Sequence, residues 1–157
     1  MWTSSAAFFV LLLFFTGGMA GSTSGGIKMI RILILIKSGV REFKQILHPR
    51  AILPLRLGNQ IIEPSIQQTV LSFFLLYIFI FGVGGLVMTL FGYDLVSAFS
   101  ASIACLGNIG PGFGDFGPTQ SFVHVPLLGK WVLILFMLIG RLELFTILIL
   151  FSPEFWK

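Results

Sequence analysis

The residues of this sequence best suited to chemistry form a glycine-rich run, Cys105 to Gly114, that reads CLGNIGPGFG. It follows a short apolar segment, Leu95 to Leu106, and lies between two long apolar spans, Thr69 to Phe91 and Trp131 to Phe151. The short segment cannot cross a bilayer, which takes about 20 helical residues, and it suits a re-entrant helix. Non-helical backbone at membrane depth is tolerated only where it is buried in protein or lines a water-filled cavity. The layout therefore predicts an ion-channel pore hairpin with a cation selectivity filter over residues 107–114.

The predicted filter would hold its ion through main-chain carbonyl oxygens, which replace the hydration shell of potassium. The carbonyls of Asn108, Ile109 and Gly110 are the expected ligands, and Pro111 and Gly112 complete the ion-binding segment. Gly110 tolerates the backbone angles that align consecutive carbonyls, and Pro111 removes an N–H donor that would repel a cation. The carboxyl end of the preceding helix adds a partial negative charge at the same point. The alternative from these residues alone is a re-entrant turn that only seals a helix bundle.

A second polar cluster interrupts the first apolar span, which runs from Ala6 to about Ile36. Five glycines lie within residues 16–26. Because each glycine weakens a helix by about 1 kcal/mol relative to alanine, a loop at membrane depth is predicted between two helices. The alternative is a close helix–helix contact through small residues. The cluster offers main-chain carbonyls and hydroxyl groups, and its members are Gly17, Gly18, Gly21, Ser22, Thr23, Ser24, Gly25 and Gly26.

This cluster does not fit a phosphate-binding loop. That motif places glycine directly before a lysine and a hydroxyl residue. Here Ile27 separates Gly26 from Lys28, and Met29 follows the lysine.

One charged residue, Arg141, lies at the middle of the span from Trp131 to Phe151. A charge at the bilayer centre costs about 2.5–3.5 kcal/mol on insertion scales and calls for a partner. Glu143 follows two residues later, about 200° round a helix, so it does not face Arg141. The partner must come from another part of the pore.

Composition and charge distribution indicate a multi-pass membrane protein. Of the 157 residues, 56% are hydrophobic and 10% are charged, whereas soluble domains carry about a quarter charged residues. Seven of the ten lysines and arginines lie between Lys28 and Arg56, so the positive-inside rule places this connection in the cytoplasm and residues 115–129 outside. The same rule explains the basic cluster better than nucleic-acid binding does. The single Cys105 excludes an internal disulfide, and the distant His48 and His124 do not predict a metal site.

These features predict an all-α membrane protein with no enzymatic chemistry. Residues 1–37 are expected to form a broken transmembrane helix with an intramembrane loop, and residues 38–68 a basic connector that could hold a short hairpin at residues 55–62. Residues 69–151 are expected to form one helix–pore loop–helix unit. Its parts are an outer helix 69–91, a pore helix 95–106 with Asp94 as N-cap, a filter 107–114 and an inner helix 131–151.

Four motifs in this order resemble the Trk/Ktr/HKT potassium transporter superfamily, and within it the carboxyl-terminal part of bacterial TrkH-type uptake proteins. The motifs are GGMAGSTSGGIK at residues 17–28, HP at residues 48–49, NIGPG at residues 108–112 and GRLE at residues 140–143. The resemblance implies four fused repeats around one ion path, each with an outer helix, a pore helix with its filter and an inner helix. By this resemblance the first span is the inner helix of the third repeat, and residues 69–151 are the complete fourth repeat.

The resemblance also implies roles and partners. The loop at residues 17–26 is expected to gate the path beneath the filter. Arg141 is expected to bind carbonyls and hydroxyls of that loop and to raise a barrier to potassium; its rival role is a structural pair with an acid in another repeat. Potassium is the transported ion of a Trk-system symporter in the bacterial inner membrane, without an organic cofactor. The expected partners are the remaining pore repeats, a second copy in a homodimer, a cytoplasmic nucleotide-binding regulatory subunit of the TrkA type and the lipid membrane, with no nucleic acid.

Two other functions stay open from the sequence. One is a single-repeat cation channel subunit that self-assembles, and the other is a non-conducting membrane assembly subunit. The broken first span argues against the simple channel subunit, which needs only the pore hairpin.

Overall fold

The computed structural model describes residues 4–18, 25–49, 54–58 and 60–142. This part of the chain is mostly helical, in agreement with the expected class. Its α-helices are α1 (Ser4–Phe15), α2 (Met29–Leu47), α3 (Pro64–Leu90), α4 (Leu95–Leu106) and α5 (Leu127–Arg141). Two short 3-10 turns, Gly114–Phe116 and Phe122–His124, lie between α4 and α5, and an antiparallel hairpin of β1 (Arg56–Leu57) and β2 (Gln60–Ile61) lies between α2 and α3.

Helix α4 forms the centre of the structure, and its bounds are those predicted for the pore helix. The Asp94 carboxylate accepts a hydrogen bond from the Val96 amide at 3.3 Å, so the predicted N-cap is confirmed. Helices α1, α3 and α5 all contact α4. Nine of its twelve residues are buried, an unusual degree of burial for so short a helix. An apolar sequence with serines in place of charged residues is what permits this position.

Helix α3 is the one helix, among the described residues, long and apolar enough to cross a membrane, with 27 residues and a mean hydropathy of 2.5. It begins at Pro64, five residues before the predicted start of the outer helix at Thr69. Proline is favoured in the first turn because its fixed φ suits a helix and its missing N–H is not needed there. The apolar residues that face away from α4 are exposed; they include Leu71, Leu75, Phe79, Leu86 and Leu90.

Helix α2 extends further than the sequence interpretation allowed. Helical structure was expected to resume at Ile27 and to end near Ile36, with residues 38–68 as the connector, whereas α2 begins at Met29 and continues to Leu47. The ten residues after Lys37 contain no proline, and Gly39 alone is too weak a breaker to end a helix that packs on α3. The helix ends where His48 donates its amide to the Lys44 carbonyl at 2.9 Å, directly before Pro49.

The hairpin predicted within residues 55–62 is confirmed, with Arg56 paired to Ile61 and Leu57 to Gln60. It packs between α2 and α3 through a small apolar cluster of Ile34, Leu55, Ile62 and Val70. The polar link across this region is Gln67 of α3, whose amide donates to the Ile62 carbonyl at 3.2 Å.

The predicted break in the first span is present. Helix α1 ends at Phe15, α2 begins at Met29, and the described residues between them, 16–18 and 25–28, are not helical. Helix α5 differs from the expected inner helix, because it begins at Leu127 instead of Trp131. Its start follows directly on Pro126, which serves as the N-cap residue. Leu142 caps the other end, and the expected continuation to Phe151 lies outside the described residues.

Two adjacent glycines on α3 set how closely α4 and α5 approach it. A Cβ placed on Gly84 would overlap the Phe136 ring of α5 and the Ser102 hydroxyl of α4, and a Cβ on Gly85 would lie 2.5 Å from the Phe99 ring. The missing side chains also leave room for the Ser102 hydroxyl to donate to the Phe81 carbonyl at 3.2 Å. Gly82 lies two residues earlier on α3, and a Cβ placed on it would have no atom within 4 Å.

We expect Gly84→Ala to destabilise the protein by about 1–3 kcal/mol, because the added methyl group overpacks the three-helix contact. Gly82→Ala is the matched control: its methyl group meets open space, and alanine favours a helix by up to about 1 kcal/mol over glycine. The measurement is the thermal unfolding midpoint of the detergent-solubilised protein. Equal midpoints for the two variants would contradict the packing described for Gly84.

Candidate ion-pathway site

Helix α4 enters the predicted filter through a Schellman turn at Asn108. The Asn108 amide donates to the Cys105 carbonyl at 3.1 Å, and the Ile109 amide donates to the Ala104 carbonyl at 2.9 Å. These two bonds satisfy carbonyls that a helix end otherwise leaves without partners. The turn requires a left-handed residue, and Asn108 has φ 54°. Asparagine adopts a positive φ more readily than most residues that have a side chain. The backbone conformation of this turn therefore favours asparagine at position 108.

The side chain of Asn108 connects the start of the filter to the next helix. Its Nδ2 donates to the Met137 carbonyl of α5 at 3.1 Å. A residue predicted only as a carbonyl ligand is therefore also a cross-link between the filter and the inner helix.

Gly110 has φ 106°, a conformation that favours glycine, so the predicted conformational role of this glycine is confirmed. A Cβ added there would meet no atom within 4 Å, so the constraint is conformational and one side of the segment is open. The neighbouring Asn108, Ile109 and Pro111 are exposed, whereas Gly112 is buried. The segment thus has an open stretch at residues 108–111 followed by an anchored stretch from Gly112 onward. The assignment of potassium to the carbonyls of residues 108–110 stays a prediction.

Serine hydroxyls on α4 hold the anchored stretch in place. Ser100 donates to the Ser97 carbonyl at 2.9 Å and accepts from the Phe113 amide at 2.8 Å. Ser97 accepts from the Asp115 amide at 3.3 Å. Each hydroxyl accepts from a loop amide in the stretch that follows Gly112. Both serine side chains are buried, at 4% and 0% exposure, and the two bonds are part-buried.

These supporting serines were missed in the sequence interpretation. A signal was available: Ser97, Ser100 and Ser102 recur within an apolar helix of twelve residues. Buried hydroxyls almost always have hydrogen-bond partners, and the glycine-rich segment that follows α4 has backbone groups outside regular secondary structure.

The anchored stretch lies directly against the pore helix. A Cβ on Gly112 would lie 3.0 Å from the Ser100 hydroxyl and 3.3 Å from the Ala101 nitrogen. The Gly112 amide donates to the Phe116 carbonyl at 2.7 Å, which closes a small turn. Phe116 is buried and packs against the Tyr93 and Phe122 rings, with centroids 4.9 and 5.2 Å away. The turn is therefore held by α4 on one side and by the Tyr93 and Phe122 rings on the other.

The described ends of the glycine-rich loop are tied together at their base. The Gly17 amide donates to the Ile27 carbonyl at 2.8 Å, and the Met29 amide donates to the Gly18 carbonyl at 3.2 Å. A Cβ on Gly17 would lie 2.7 Å from the Gly25 carbonyl oxygen. The close approach is therefore between loop backbones, and the alternative of a helix–helix contact through these glycines is wrong for the described residues.

The loop base lies against the end of the pore helix. A Cβ on Gly25 would lie 2.7 Å from Asn108 Nδ2 and 2.9 Å from the Gly107 carbonyl oxygen. Gly26 has φ 82°, and its added Cβ would lie 3.8 Å from the Gly107 Cα. The structure thus brings together two motifs that are about eighty residues apart in sequence. Gly21, Ser22, Thr23 and Ser24 lie outside the described residues.

The third motif meets the same point from α5. A Cβ on Gly140 would overlap the Leu106 carbonyl oxygen and lie 2.8 Å from Asn108 Nδ2. Arg141, next in sequence, is exposed and lines an open cavity of about 530 Å³ together with Asn108. It is the last residue of α5 within the described residues, and its predicted place at the middle of a span 131–151 stays a prediction because residues 143–151 lie outside them. Its expected contact with the loop at residues 17–26 stays a prediction.

Chemically, the site offers backbone carbonyls and one guanidinium. Within the described ranges, no group of three or more histidine, cysteine, aspartate or glutamate side chains could hold a metal ion. A cation at this site would be held by main-chain oxygens, as for weakly hydrated monovalent ions.

Removing the serine support should destabilise the filter strand. We expect Ser100→Ala to cost about 1–3 kcal/mol, because the partly buried Phe113 amide loses its acceptor. The control is Thr69→Val, which removes an exposed hydroxyl that donates to the Ser65 carbonyl of its own helix. Amide hydrogen exchange should become faster at Phe113 in the first variant only. Unchanged exchange at Phe113 would show that the strand does not depend on Ser100.

Comparison with known proteins gives matches that cover the whole chain. Residues 1–157 match the TrkH family, described as a cation transport protein family. The chain is 46% identical to the Trk system potassium uptake protein TrkH of Escherichia coli (strain K12), over 91% of this chain and 29% of the relative. It is 39% identical to the Trk system potassium uptake protein TrkG of the same strain, over 99% of this chain and 32% of the relative.

A solved structure has the same fold. The crystal structure of the potassium transporter TrkH from Vibrio parahaemolyticus matches with a TM-score of 0.88 and 43% identity, covering 99% of this chain and 33% of that one. The chain therefore spans about a third of the length of the relatives it matches. With a family match over every residue and the filter, loop and Gly140–Arg141 motifs meeting at one point, this chain belongs to the TrkH family of cation transport proteins.

Proposed function

We propose that this chain is the carboxyl-terminal part of a potassium uptake transporter, in which it contributes one selectivity-filter segment and part of the gate. The similar proteins named above are potassium uptake proteins, which supports the ion and the direction of transport. The observation that carries the proposal is the open stretch at residues 108–111. This stretch is exposed, and it continues directly into the stretch from Gly112 onward that Ser100 of α4 holds, as expected for a filter strand that faces an ion path.

The proposed filter works through pre-organisation. A potassium ion leaves its hydration water only where carbonyl oxygens are already in position to replace it. The Schellman turn at Asn108 and the bonds from Ser97 and Ser100 fix the strand before the ion arrives. The φ of Gly110 directs the backbone on the open side without a side chain in the way. The end of α4 adds a partial negative charge. One such segment supplies only part of the ligand set, so the remaining repeats complete the ring.

The proposed gate lies beneath this filter. The base of the loop at residues 17–26 contacts Gly107 and Asn108, and Arg141 lines a cavity that Asn108 also lines. A loop that must move away and a cation that repels potassium would together form one barrier. Gly17, Gly18, Gly21, Ser22, Thr23, Ser24, Gly25 and Gly26 would form the movable element, and Arg141 the fixed charge.

The proposed setting is the bacterial inner membrane. Helix α3 would cross it from the cytoplasm outward, α4 would return part of the way, and α5 would begin the return to the cytoplasm. Residues 1–37, with the loop, would be the inner helix of the third repeat, and residues 69–151 the fourth repeat. The basic segment 38–68 would face the cytoplasm, where a nucleotide-binding regulatory subunit could bind. Symport and a homodimeric state follow from the family resemblance and belong to this proposal.

The filter is tested by Gly110→Ser in the full-length transporter. We expect a loss of uptake or a lower potassium-to-sodium flux ratio, because the added side chain disfavours φ 106° and enters the ion path. The matched control is Gly92→Ser, since Gly92 also has positive φ (90°) and open space around it but lies outside the filter. Growth of uptake-deficient bacteria at low potassium and ion flux are the measurements. If both variants behave alike, Gly110 is not part of the ion path.

The gate is tested by a double-mutant cycle. Arg141→Ala removes the repelling charge, and deletion of residues 21–24 shortens the loop, so each change should raise flux from proteoliposomes of the full-length protein. If the two act on one barrier, the combined variant should gain less than the sum of the separate free-energy effects. Reduced flux in each single variant, or simple additivity in the pair, would make Arg141 a structural anchor instead.

A further inference from the structure

Two cavities flank Arg41 on helix α2, apart from the proposed ion path. One, of about 430 Å³, lies between α2 and α3, and Arg41 and Gln68 are among its lining residues. The other, of about 250 Å³, lies between α2 and the hairpin, and Arg41 and Arg56 are among its lining residues. Neither cavity is lined by a residue of the filter segment or of the glycine-rich loop.

The larger cavity changes character along its length. Its apolar part is lined by Ile34, Leu35 and Leu71, and its polar part by residues that include Arg41 and Gln68. On α2, the distance from Ile34 to Arg41 is about 10 Å at 1.5 Å per residue. A ligand that matches this cavity is apolar at one end and polar at the other.

The smaller cavity, on the other side of Arg41, carries excess positive charge. Lys37, Arg41 and Lys44 line the smaller cavity from one face of α2, and Arg56 lines it from the hairpin. Glu42, the one acid that lines either cavity, bonds to Arg41 Nη2 at 2.8 Å, but its side chain is 61% exposed. The preferred ligand is therefore an anion.

Arg41 has donor capacity in reserve. Its Nε is buried and, among the described residues, has no hydrogen-bond partner. Lys37, by contrast, already donates to the Arg56 carbonyl at 2.9 Å. A buried guanidinium N–H without an acceptor is costly, and the guanidinium fork matches phosphate oxygens closely. Arg41, which lines both cavities, thus has an unmet guanidinium donor in the place where the charge favours an anion.

We propose that these cavities bind one anionic phospholipid of the cytoplasmic leaflet, with its phosphate at Arg41 and its acyl region along Ile34, Leu35 and Leu71. Basic pockets between helices on the cytoplasmic side are suited to anionic lipid headgroups. A free phosphate would satisfy Arg41 but leave the apolar part of the cavity empty, so the lipid is the better match. The proposal uses the membrane placement given above only to name the leaflet.

Gly39 supplies a second, independent way to test the cavity. It lines the larger cavity, and a Cβ added to it meets no atom within 4 Å. Gly39→Leu therefore fills the space without changing a charge, and leucine favours the helix more than glycine does. Loss of lipid in this variant cannot be attributed to a lost charge or to unfolding of α2.

The experiment uses the full-length transporter, delipidated in a neutral detergent. Native mass spectrometry would measure binding of short-chain phosphatidylglycerol, with phosphatidylcholine and inorganic phosphate as comparison probes. We expect phosphatidylglycerol to bind in preference to phosphatidylcholine. Arg41→Gln should weaken its binding by about fivefold, the effect of one basic residue at a membrane surface. Gly39→Leu should weaken it at least as much, and Lys130→Gln, the same charge change far along the chain, should leave it unchanged.

Three results would overturn the proposal. Equal binding of the two lipids would show that the headgroup charge is not recognised. Full competition by inorganic phosphate would make this a free-anion site. Unchanged phosphatidylglycerol binding in both Arg41→Gln and Gly39→Leu would place the lipid elsewhere. Because lipid binding is measured without ion flux, these outcomes stay separate from the test of transport.

Discussion

Backbone contact at the carboxyl end of α4 is the constraint on which the rest of this structure depends. Gly25 of the loop lies against Gly107 from one direction, and Gly140 of α5 lies against the Leu106 carbonyl from another. No residue with a side chain could occupy Gly25 or Gly140 at these distances. The glycines thus let two remote segments reach the last turn of the pore helix, and the Asn108 side chain then joins that turn to Met137.

The burial of α4 follows from the same constraint. A helix enclosed by α1, α3 and α5 has no room for charged side chains, and its serines become the polar groups available to the filter strand. Ser97 and Ser100 therefore have two roles. Their hydrogen bonds satisfy hydroxyl groups that would otherwise be buried without a partner, and the same bonds hold the strand against the helix.

The basic residues that line cavities lie in two separate regions of the structure. Arg141 is the one basic residue among those that line the cavity beside Asn108. The cluster at Lys37, Arg41 and Lys44 lies on the other polar region, beside the hairpin. Arg31, near the start of α2, packs on α3 with its guanidinium 4.0 Å from the centre of the Phe73 ring. Helix α2 thus follows the glycine-rich loop at one end and carries a basic face at the other. A ligand bound to that face would contact the same helix that leads to the loop.

Sequence reasoning succeeded where local chemistry is decisive. Asp94 before an apolar run marked the start of α4, Gly110 marked the positive φ, and the glycines between Phe15 and Met29 marked the helix break. It placed other boundaries wrongly where packing adds to weak local preference: α2 continues through Gly39 because it packs on α3, and α3 begins at Pro64 because the hairpin delivers the chain there. For α5, it missed the start after Pro126.

The sequence by itself thus determined the membrane character, the short helix before the glycine-rich segment and the family, because these rest on composition, local backbone preference and ordered motifs. Only the tertiary structure decided which residues meet. That Gly25, Gly107 and Gly140 converge, that Ser97 and Ser100 accept from the filter strand, and that Asn108 bonds to Met137 are contacts between residues far apart in the chain. Such contacts depend on how closely the helices approach one another. That distance is set by packing on all sides of α4, and no periodic pattern within a single segment of the sequence encodes it.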